Sequence, residues 1–153
     1  RKLIRTGLAI AGSRYLLNRR SSLNLVNGSE KISGKLFANP KYINIPLGIL
    51  RDARPRAWCT FRSCNFGVLS TDFFANRGFD EAYVGWGRED SDLIVRMLNL
   101  GLVIRSGRFA TCVLHLDHPT HDRQTLHKNN NQLSRVISDA SISRPRATSL
   151  GDL

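Results

Sequence analysis

Three acidic residues at the start of one segment are the clearest candidates for chemistry. Glu89, Asp90 and Asp92 open a stretch with helical spacing, and Asp90 shares the apolar stripe of Leu93, Ile94 and Met97. The i, i+3, i+4, i+7 pattern predicts that Asp90 points inward from the first helical turn. A carboxylate there, beside the positive end of a helix, can line a cleft, remain ionised and accept a proton from a hydroxyl group.

The acidic cluster also has a simpler interpretation. Arg88 with Asp92, and Asp92 with Arg96, have the i, i+4 spacing of helix ion pairs, which places Asp92 on the side of the helix. Carboxylates in general favour helix starts by about 0.3–1 kcal/mol each. The spacing by itself therefore leaves a purely structural role open.

A glycine-flanked tryptophan precedes this helix. Gly85 and Gly87 surround Trp86, and two glycines cost loop entropy without an evident benefit to a core. An aromatic face is a suitable surface for a sugar ring. Trp86 is therefore predicted to line a saccharide site.

The elements around these residues alternate between strands and helices. Residues 7–17 are predicted to form a buried strand entering a short helix or turn, and residues 18–46 mainly surface loops with one short helix. Residues 64–69 indicate a strand, and a short helix follows from Ser70 until Gly78.

The second half contains the clearest helix, from about Arg88 to Leu100, which Gly101 closes. Residues 102–104 and 109–116 are predicted to be a pair of strands around a turn. A polar helix is predicted over residues 122–138. With 153 residues, of which 41% are hydrophobic, the chain is expected to form one globular unit of the α/β class.

A family resemblance rests on the segment GFDEAYVGWGREDSDLIVRMLNLG. It is similar to the part of family 2 glycosyltransferases, and of the related galactosyltransferase C-terminal domain, in which a G-F-D-E loop leads to G-W-G-x-E-D and a helix. The similarity covers about residues 58–120, through residues 62–66 at one end and 115–119 at the other. It extends more loosely to residues 9–14.

The resemblance implies both a fold and a reaction. It predicts the C-terminal portion of a GT-A (Rossmann-like) fold, a mixed sheet flanked by helices, that transfers a sugar with inversion from a UDP-sugar to a glycan acceptor. Asp90 would be the general base, and Glu89 would bind acceptor or orient the loop. The substrate site would comprise Trp86, Gly85, Gly87, Asn65, Asp80, Glu81 and Arg88.

The resemblance also implies a divalent metal, Mn or Mg, as cofactor. His115, at the end of its strand, is the best counterpart of the histidine that completes the metal site in such enzymes, and His118 is the second candidate. With Asp117 between them, they would hold the metal beside the nucleotide diphosphate. The structural alternative is that these histidines only form hydrogen bonds at a strand end.

Enzymes of this kind also need a nucleotide-binding lobe with an Asp-x-Asp motif. Asp90-Ser91-Asp92 matches that motif in letters only, because it lies at a helix start on the acceptor side. Residues 1–138 are therefore expected to be the acceptor-side, catalytic half, with the nucleotide-binding lobe absent. The chain alone is expected to bind donor weakly or not at all and to be inactive as an enzyme. Residues 139–153 are expected to be a disordered tail.

Composition bears on partners and location. Lys and Arg number 23 against 12 acidic residues, so the net charge of +11 favours anionic partners. A nucleic-acid-binding module is the rival class, although the basic residues lack an aromatic-interleaved pattern. Peripheral contact with an anionic membrane, near a lipid-linked acceptor of surface polysaccharide or lipopolysaccharide biosynthesis, is a second explanation. A non-catalytic scaffold is the third alternative.

The three cysteines, without a CxxC pair, predict a reducing compartment and hence the cytoplasm. No apolar run approaches the roughly 20 residues that a membrane span requires.

Overall fold

The computed structural model describes residues 6–29, 58, 61–107, 111–119 and 122–139. Within these ranges a short 3₁₀ turn occupies Ser63–Asn65, and the strands and helices alternate along the chain. In chain order they are β1 (Leu8–Ala11), β2 (Ser13–Leu16), α1 (Arg19–Val26), β3 (Phe66–Gly67), α2 (Ser70–Ala75), α3 (Glu89–Asn99), β4 (Val103–Ser106), β5 (Cys112–His115) and α4 (Leu126–Ser138).

The strands form two small sheets. The first has the order β3-β1-β4, with β1 antiparallel to β3 and parallel to β4, so that Ala9 faces Ile104. The second pairs β2 with β5 in parallel, from Ser13 beside Cys112 to Leu16 beside His115. The first sheet is therefore mixed, and with the helices beside it the architecture is α/β, consistent with a GT-A-like domain.

Gly12 separates β1 from β2 because the chain changes sheets there. Its backbone N–H donates to the Asn65 carbonyl at 2.8 Å, and that of Ser13 donates to the Thr111 carbonyl at 3.0 Å. A Cβ at position 12 would collide with the side chains of Asn65 and Thr111. Only glycine lets the backbone pass this close to both neighbours.

Helix α3 is the centre of the hydrophobic core. Leu93, Ile94 and Met97 are fully buried and pack against the first sheet through Ala9 and Ile104. The opposite side of α3 contributes Val95 to a second cluster with Leu133 and Val136 of α4. Because α3 lies between the sheet and α4, it is buried on both sides.

A buried ion pair lies within α3. Arg96 Nε donates to Asp92 Oδ2 at 2.7 Å, and the two side chains are 1% and 0% exposed. The terminal nitrogens of Arg96 donate to the carbonyls of Asn76 and Gly78 at 2.7 and 2.8 Å. Tyr83 donates to the other Asp92 oxygen at 3.3 Å. Every charged nitrogen of Arg96 thus has an acceptor, as burial requires.

For most of the described residues the type of each predicted element is confirmed, whereas the predicted pairing of the strands is wrong. Residues 7–17 form two strands where one was predicted, with α1 after them. The strand expected over residues 64–69 is reduced to β3. The predicted pair of strands around a turn is wrong, because β4 pairs with β1 and β5 with β2. Two short apolar runs beside a turn cannot reveal that both have partners far away in sequence.

Two further expectations concern Asp92 and the chain termini. Asp92 pairs with Arg96 as predicted, but in the interior and not on an open side of the helix, because α4 and the preceding loop cover it. Residues 30–46 of the predicted loop region and 140–153 of the predicted tail lie outside the described residues. No helix in the described part of the chain is long and apolar enough to cross a bilayer.

Replacing Arg96 by Met should lower the free energy of unfolding by about 3–5 kcal/mol, because Asp92 Oδ2 and the carbonyls of Asn76 and Gly78 would be left without a donor. Urea denaturation followed by circular dichroism measures the change. Arg135→Met, at an exposed site on α4, is the matched control and should stay within about 0.5 kcal/mol of the unmodified chain. Equal losses in the two variants would contradict the structural importance of the pair.

Candidate functional site

A cleft of about 640 Å³ lies between the end of the second sheet and the starts of α3 and α4. One wall is formed by residues at the ends of β2 and β5, and the opposite wall by residues of the loop before α3 and its first turn. Its lining includes Arg14, Arg62, Cys64, Trp86, Gly87, Arg88, Glu89, Asp90, His115, Asp117, His118, Arg123 and Leu126.

The strand wall follows from the parallel pairing of β2 and β5. Parallel strands end at the same edge of a sheet, so Leu16 and His115 are neighbours there. The loops beyond this edge are where α/β proteins commonly bind ligands. Asp117 is held close by, because its backbone N–H donates to Ser22 Oγ of α1 at 2.8 Å.

The helix wall begins with a residue in an unusual conformation. Arg88 precedes α3 with φ 85°, in the left-handed region that arginine seldom adopts. Its side chain is tethered, since Nε donates to Asn130 Oδ1 at 2.6 Å. The first turn of α3 then presents Glu89 and Asp90 to the cleft at the positive end of the helix.

Both of these carboxylates have an oxygen without a donor. Glu89 Oε2 and Asp90 Oδ1 are buried atoms that accept no hydrogen bond within the part of the chain that the structure describes. Buried acceptors are normally satisfied, so an open one in a cleft indicates a position where a ligand hydroxyl can bind. The predicted general base and its neighbour therefore line one cleft, and each has a buried oxygen without a hydrogen-bond donor.

The two predicted metal ligands are adjacent on the opposite wall. His115 Nε2 and His118 Nε2 are 3.2 Å apart. His118 Nδ1 lies 2.9 Å from the Pro119 carbonyl, which only accepts, so Nδ1 carries the proton and Nε2 keeps its lone pair. Burial lowers the pKa of His115, and the charges of Arg14 and His118 lower it further. His115 is therefore biased to the neutral form that a metal needs.

The separation of the two imidazole nitrogens is that of a direct hydrogen bond between the rings, as the structural alternative expects, and it also fits a shared ion. Two ligands at about 2.0–2.1 Å from one metal lie roughly 3–3.4 Å from each other. Within the described residues, however, no group of three or more His, Cys, Asp and Glu side chains is arranged around a common point. The protein thus offers two nitrogens, and further ligands would have to come from a substrate or from water.

Helix α4 positions the loop that contains Trp86. Asn129 is 1% exposed, and its amide donates to the carbonyls of Gly87 at 2.9 Å and Val84 at 3.2 Å. Thr125 Oγ1 also donates to the Val84 carbonyl, at 2.7 Å. Gly85 and Gly87 have φ values of 76° and 100°. The two glycines are therefore needed for the left-handed backbone that α4 holds, a purpose that their spacing in the sequence did not reveal.

The indole of Trp86 is in contact with a guanidinium group. Arg123 Cζ lies 4.5 Å from the centroid of the ring, in cation–π geometry. Trp86 is 40% exposed and lines the cleft. A sugar that uses this ring as a platform therefore meets a guanidinium beside it.

Four predicted substrate residues lie outside the cleft lining. Asn65 braces the turn between β1 and β2, donating to the Ser13 carbonyl at 2.7 Å. Asp80 accepts from Gln132 of α4 at 3.0 Å, and Glu81 is exposed in the same loop. Gly85 packs against Thr125. The other predicted residues, Trp86, Gly87, Arg88, Glu89, Asp90, His115 and His118, are brought together.

Asp92 belongs to the core and not to the cleft. It is fully buried with Arg96, and burial raises its pKa while the Arg96 charge opposes the shift. Its separation from the cleft agrees with rejecting Asp90-Ser91-Asp92 as a metal motif. The expected Arg88–Asp92 pair is replaced by the bond from Arg88 to Asn130, because Asp92 faces the interior.

Several cleft residues carried no functional signal in the sequence. Arg123 and Leu126 come from the segment before and at the start of α4, and Arg14, Arg62 and Cys64 from the strand side. Asn129 does not line the cleft but bonds to the loop that contains Trp86. No local pattern marks these positions, because they become neighbours only when α4 packs on α3.

Comparison with known proteins gives one match. Residues 52–121 match the family model described as the N-terminal domain of galactosyltransferase. The chain contains a glycosyltransferase-like domain. The resemblance seen in the sequence was to the C-terminal galactosyltransferase domain, whereas the description of the matching family is of the N-terminal one. No curated protein and no solved structure matches the chain significantly.

The matched residues include most of the residues that line the cleft. Residues 52–121 include Trp86, both carboxylates of the first turn of α3 and both histidines. Helix α4, which holds the Trp86 loop, lies beyond the matched residues. Most side chains that line the cleft are thus inside the matched residues, whereas α4, which holds the Trp86 loop, is outside them.

Replacing Asn129 by Ala should lower the free energy of unfolding by about 1–3 kcal/mol, because the Gly87 carbonyl loses its donor and the Val84 carbonyl keeps only that of Thr125. The Trp86 loop should also loosen. In a Trp58→Phe background, acrylamide quenching of the remaining tryptophan would then increase. Asn131→Ala, at an exposed position of the same helix, is the control; if it has the same effect on quenching, Asn129 does not hold the loop.

Replacing Arg14 by Gln should raise the pKa of His115 toward its ordinary value near 6.5. A nearby cation disfavours the imidazolium, so its removal makes His115 easier to protonate. NMR titration of the imidazole Hε1 signal measures the shift. Arg20→Gln, exposed on α1 and absent from the cleft lining, should leave this pKa unchanged. An unmoved pKa in the Arg14 variant would show that the charge of Arg14 does not contribute to the shift.

Proposed function

We propose that the chain forms the acceptor side of the active site of an inverting glycosyltransferase with a GT-A fold, related to family 2, that uses a UDP-sugar. The observation that supports this most is the open oxygen of Asp90 in a cleft that also contains Trp86 and two adjacent histidines. The similarity of residues 52–121 to a galactosyltransferase domain supports the same reaction class.

In this proposal Asp90 is the general base. Its open Oδ1 accepts the proton of an acceptor hydroxyl as the hydroxyl oxygen attacks the anomeric carbon of the donor. The bond between that carbon and the UDP oxygen breaks on the opposite side, and UDP leaves with the electron pair. A single displacement of this kind inverts the anomeric configuration.

Glu89 and Trp86 would place the acceptor. Glu89 Oε2 can accept from a second hydroxyl of the same sugar, which restricts the rotation of the attacking group. Trp86 offers an apolar ring for the sugar face, held at the cleft by the contacts of its loop with Asn129. Gly87 allows the backbone to turn between Trp86 and the carboxylates.

His115 and His118 would hold a divalent ion, Mn or Mg, together with the donor. When bound, such an ion offsets the negative charge that develops on the departing diphosphate. The protein's own contribution is to hold the two Nε2 atoms 3.2 Å apart, with His118 oriented by the Pro119 carbonyl and His115 biased to its neutral form by burial and the charge of Arg14. The phosphates would complete the coordination, which agrees with a site of only two protein nitrogens.

Donor sugar, acceptor and location extend this proposal. Galactose, glucose and N-acetylhexosamines are the donors to test, and the acceptor is a surface polysaccharide or lipopolysaccharide precursor. The net charge of +11 supports contact with the anionic inner face of a membrane from the cytoplasm. Liposome pelleting tests this point: equal retention on neutral and anionic vesicles would exclude the electrostatic contact.

With the nucleotide-binding lobe supplied, Asp90→Asn should reduce transfer from the UDP-sugar by about 10²–10⁴-fold, because the amide cannot take the proton. Binding of the acceptor should change little, since the amide has nearly the same shape. Released UDP, measured against a panel of donors with Mn present, gives the rate. Asp122→Asn, at an exposed position outside the cleft lining, is the matched control.

The outcome separates the proposed enzyme from its alternatives. A full rate in the Asp90 variant would exclude the general-base role and favour a non-catalytic scaffold. If binding to random nucleic acid, steeply dependent on salt, is found with no transfer, the rival module is favoured instead.

A further inference from the structure

The cleft contains more positive charge than a neutral sugar requires. Four arginines line it, Arg14, Arg62, Arg88 and Arg123, against the three carboxylates of Glu89, Asp90 and Asp117. Guanidinium groups bind carboxylate, sulfate and phosphate groups through paired hydrogen bonds. The distribution of these arginines between the two walls therefore bears on which substrate is anionic.

The two arginines of the helix wall surround the saccharide platform. Arg123 stacks on Trp86 at 4.5 Å, and Arg88 lies two residues from Trp86 and directly before Glu89. Arg14 is on the opposite wall, where its charge lowers the pKa of His115. In the proposed function the diphosphate lies on that strand wall, with the histidines. Arg88 and Arg123 are on the acceptor side.

Arg88 adopts a backbone conformation that costs free energy. A non-glycine residue at φ 85° is strained. Glycine would avoid this strain, as it does at Gly85 and Gly87. The tether from Arg88 Nε to Asn130 at 2.6 Å uses one donor and leaves the pair of terminal nitrogens for another partner. Strain held in this way beside a cleft is typical of a residue that binds a ligand.

Arg123 can exchange its contact with Trp86 for a contact with a ligand anion. Its contact with the Trp86 ring, at an exposed site, is weaker than a charge-assisted pair of hydrogen bonds to an anion. A ligand anion beside Trp86 can therefore attract the guanidinium from the ring, and the freed indole face becomes accessible to the sugar that carries the anion.

We propose that the acceptor is an anionic saccharide, whose carboxylate, sulfate or phosphate group is bound by Arg88 and Arg123 next to Trp86. This rests on the proposed function for the identity of the acceptor side. The anionic group fixes which hydroxyl of the sugar reaches Asp90, so the two arginines determine acceptor specificity.

The test compares matched saccharides on the full chain. Quenching of tryptophan fluorescence is titrated with a glucuronate-terminated disaccharide, with its glucose-terminated counterpart and with the 6-sulfated form, all at one ionic strength. The anionic sugars should bind at least about tenfold more tightly, as expected for a hydrogen-bonded charge pair. Arg88→Gly, which suits the left-handed backbone, and Arg123→Gln should each remove most of this preference.

Arg77→Gly is the control for both charge and backbone. Arg77 also has a left-handed φ, of 59°, and it is exposed and absent from the cleft lining. The preference should persist in this variant. An equal loss in the Arg77 variant would mean a general effect of net charge and would overturn the proposal, as would equal binding of neutral and anionic sugars or no saccharide binding.

A separate titration with UDP and Mn distinguishes the two sources of anionic groups. If the Arg88 and Arg123 variants lose UDP binding and keep the saccharide preference, these arginines serve the donor diphosphate and the proposal is wrong. Transfer from UDP-sugars is measured independently. Preferential binding of anionic saccharides without any transfer would contradict the proposed enzyme but support the anion site, and transfer without such a preference would do the reverse.

Discussion

The buried charge of Arg96 is the constraint on which the arrangement around α3 depends. A guanidinium inside a core is tolerated only if every nitrogen has an acceptor, and here the acceptors come from three places: Asp92 one turn earlier, the end of α2, and the turn at Gly78. The loop that leads from α2 toward the cleft must therefore begin at one fixed position relative to α3. Tyr83 continues this network along the same loop through its bond to Asp92.

The far end of that loop is held by α4. Asn129 and Thr125 donate to the backbone carbonyls on either side of Trp86, and Arg88 bonds to Asn130. A loop fixed at both ends can retain strained conformations. Here Gly85, Gly87 and Arg88 all have left-handed backbone, and Trp86 lies between the first two. The indole and the first-turn carboxylates are thus displayed by a rigid frame, which suits recognition of a hydroxyl-bearing ligand.

The electrostatics of the cleft combine two opposite requirements. The carboxylates of Glu89 and Asp90 lie at the positive end of α3, in a cleft that four arginines also line. Burial, together with the charges of Arg14 and His118, lowers the pKa of His115 and biases its imidazole to the neutral form. One basic environment therefore leaves both a carboxylate able to accept a proton and imidazole lone pairs able to bind a cation.

The sequence by itself determined the elements that depend on local pattern and singled out the main candidate residues of the cleft. Helical periodicity located α3 and placed Asp90 on its inner stripe, and the glycines at 78 and 101 marked helix ends. It did not determine the strand partners, because pairing of β1 with β4 and of β2 with β5 joins segments about 95 residues apart, and no local signal encodes such distances.

Only the tertiary structure decided which polar residues are buried and which face the cleft. Asp92 and Asp90 are two positions apart in the same helical turn, yet one enters the core and the other the cleft, because α4 and the Tyr83 loop cover one side of α3 and leave the other open. Arg123 and Asn129 acquire their places at Trp86 through the same packing. Periodicity reports which residues share a face, and burial depends on what else the chain brings to that face.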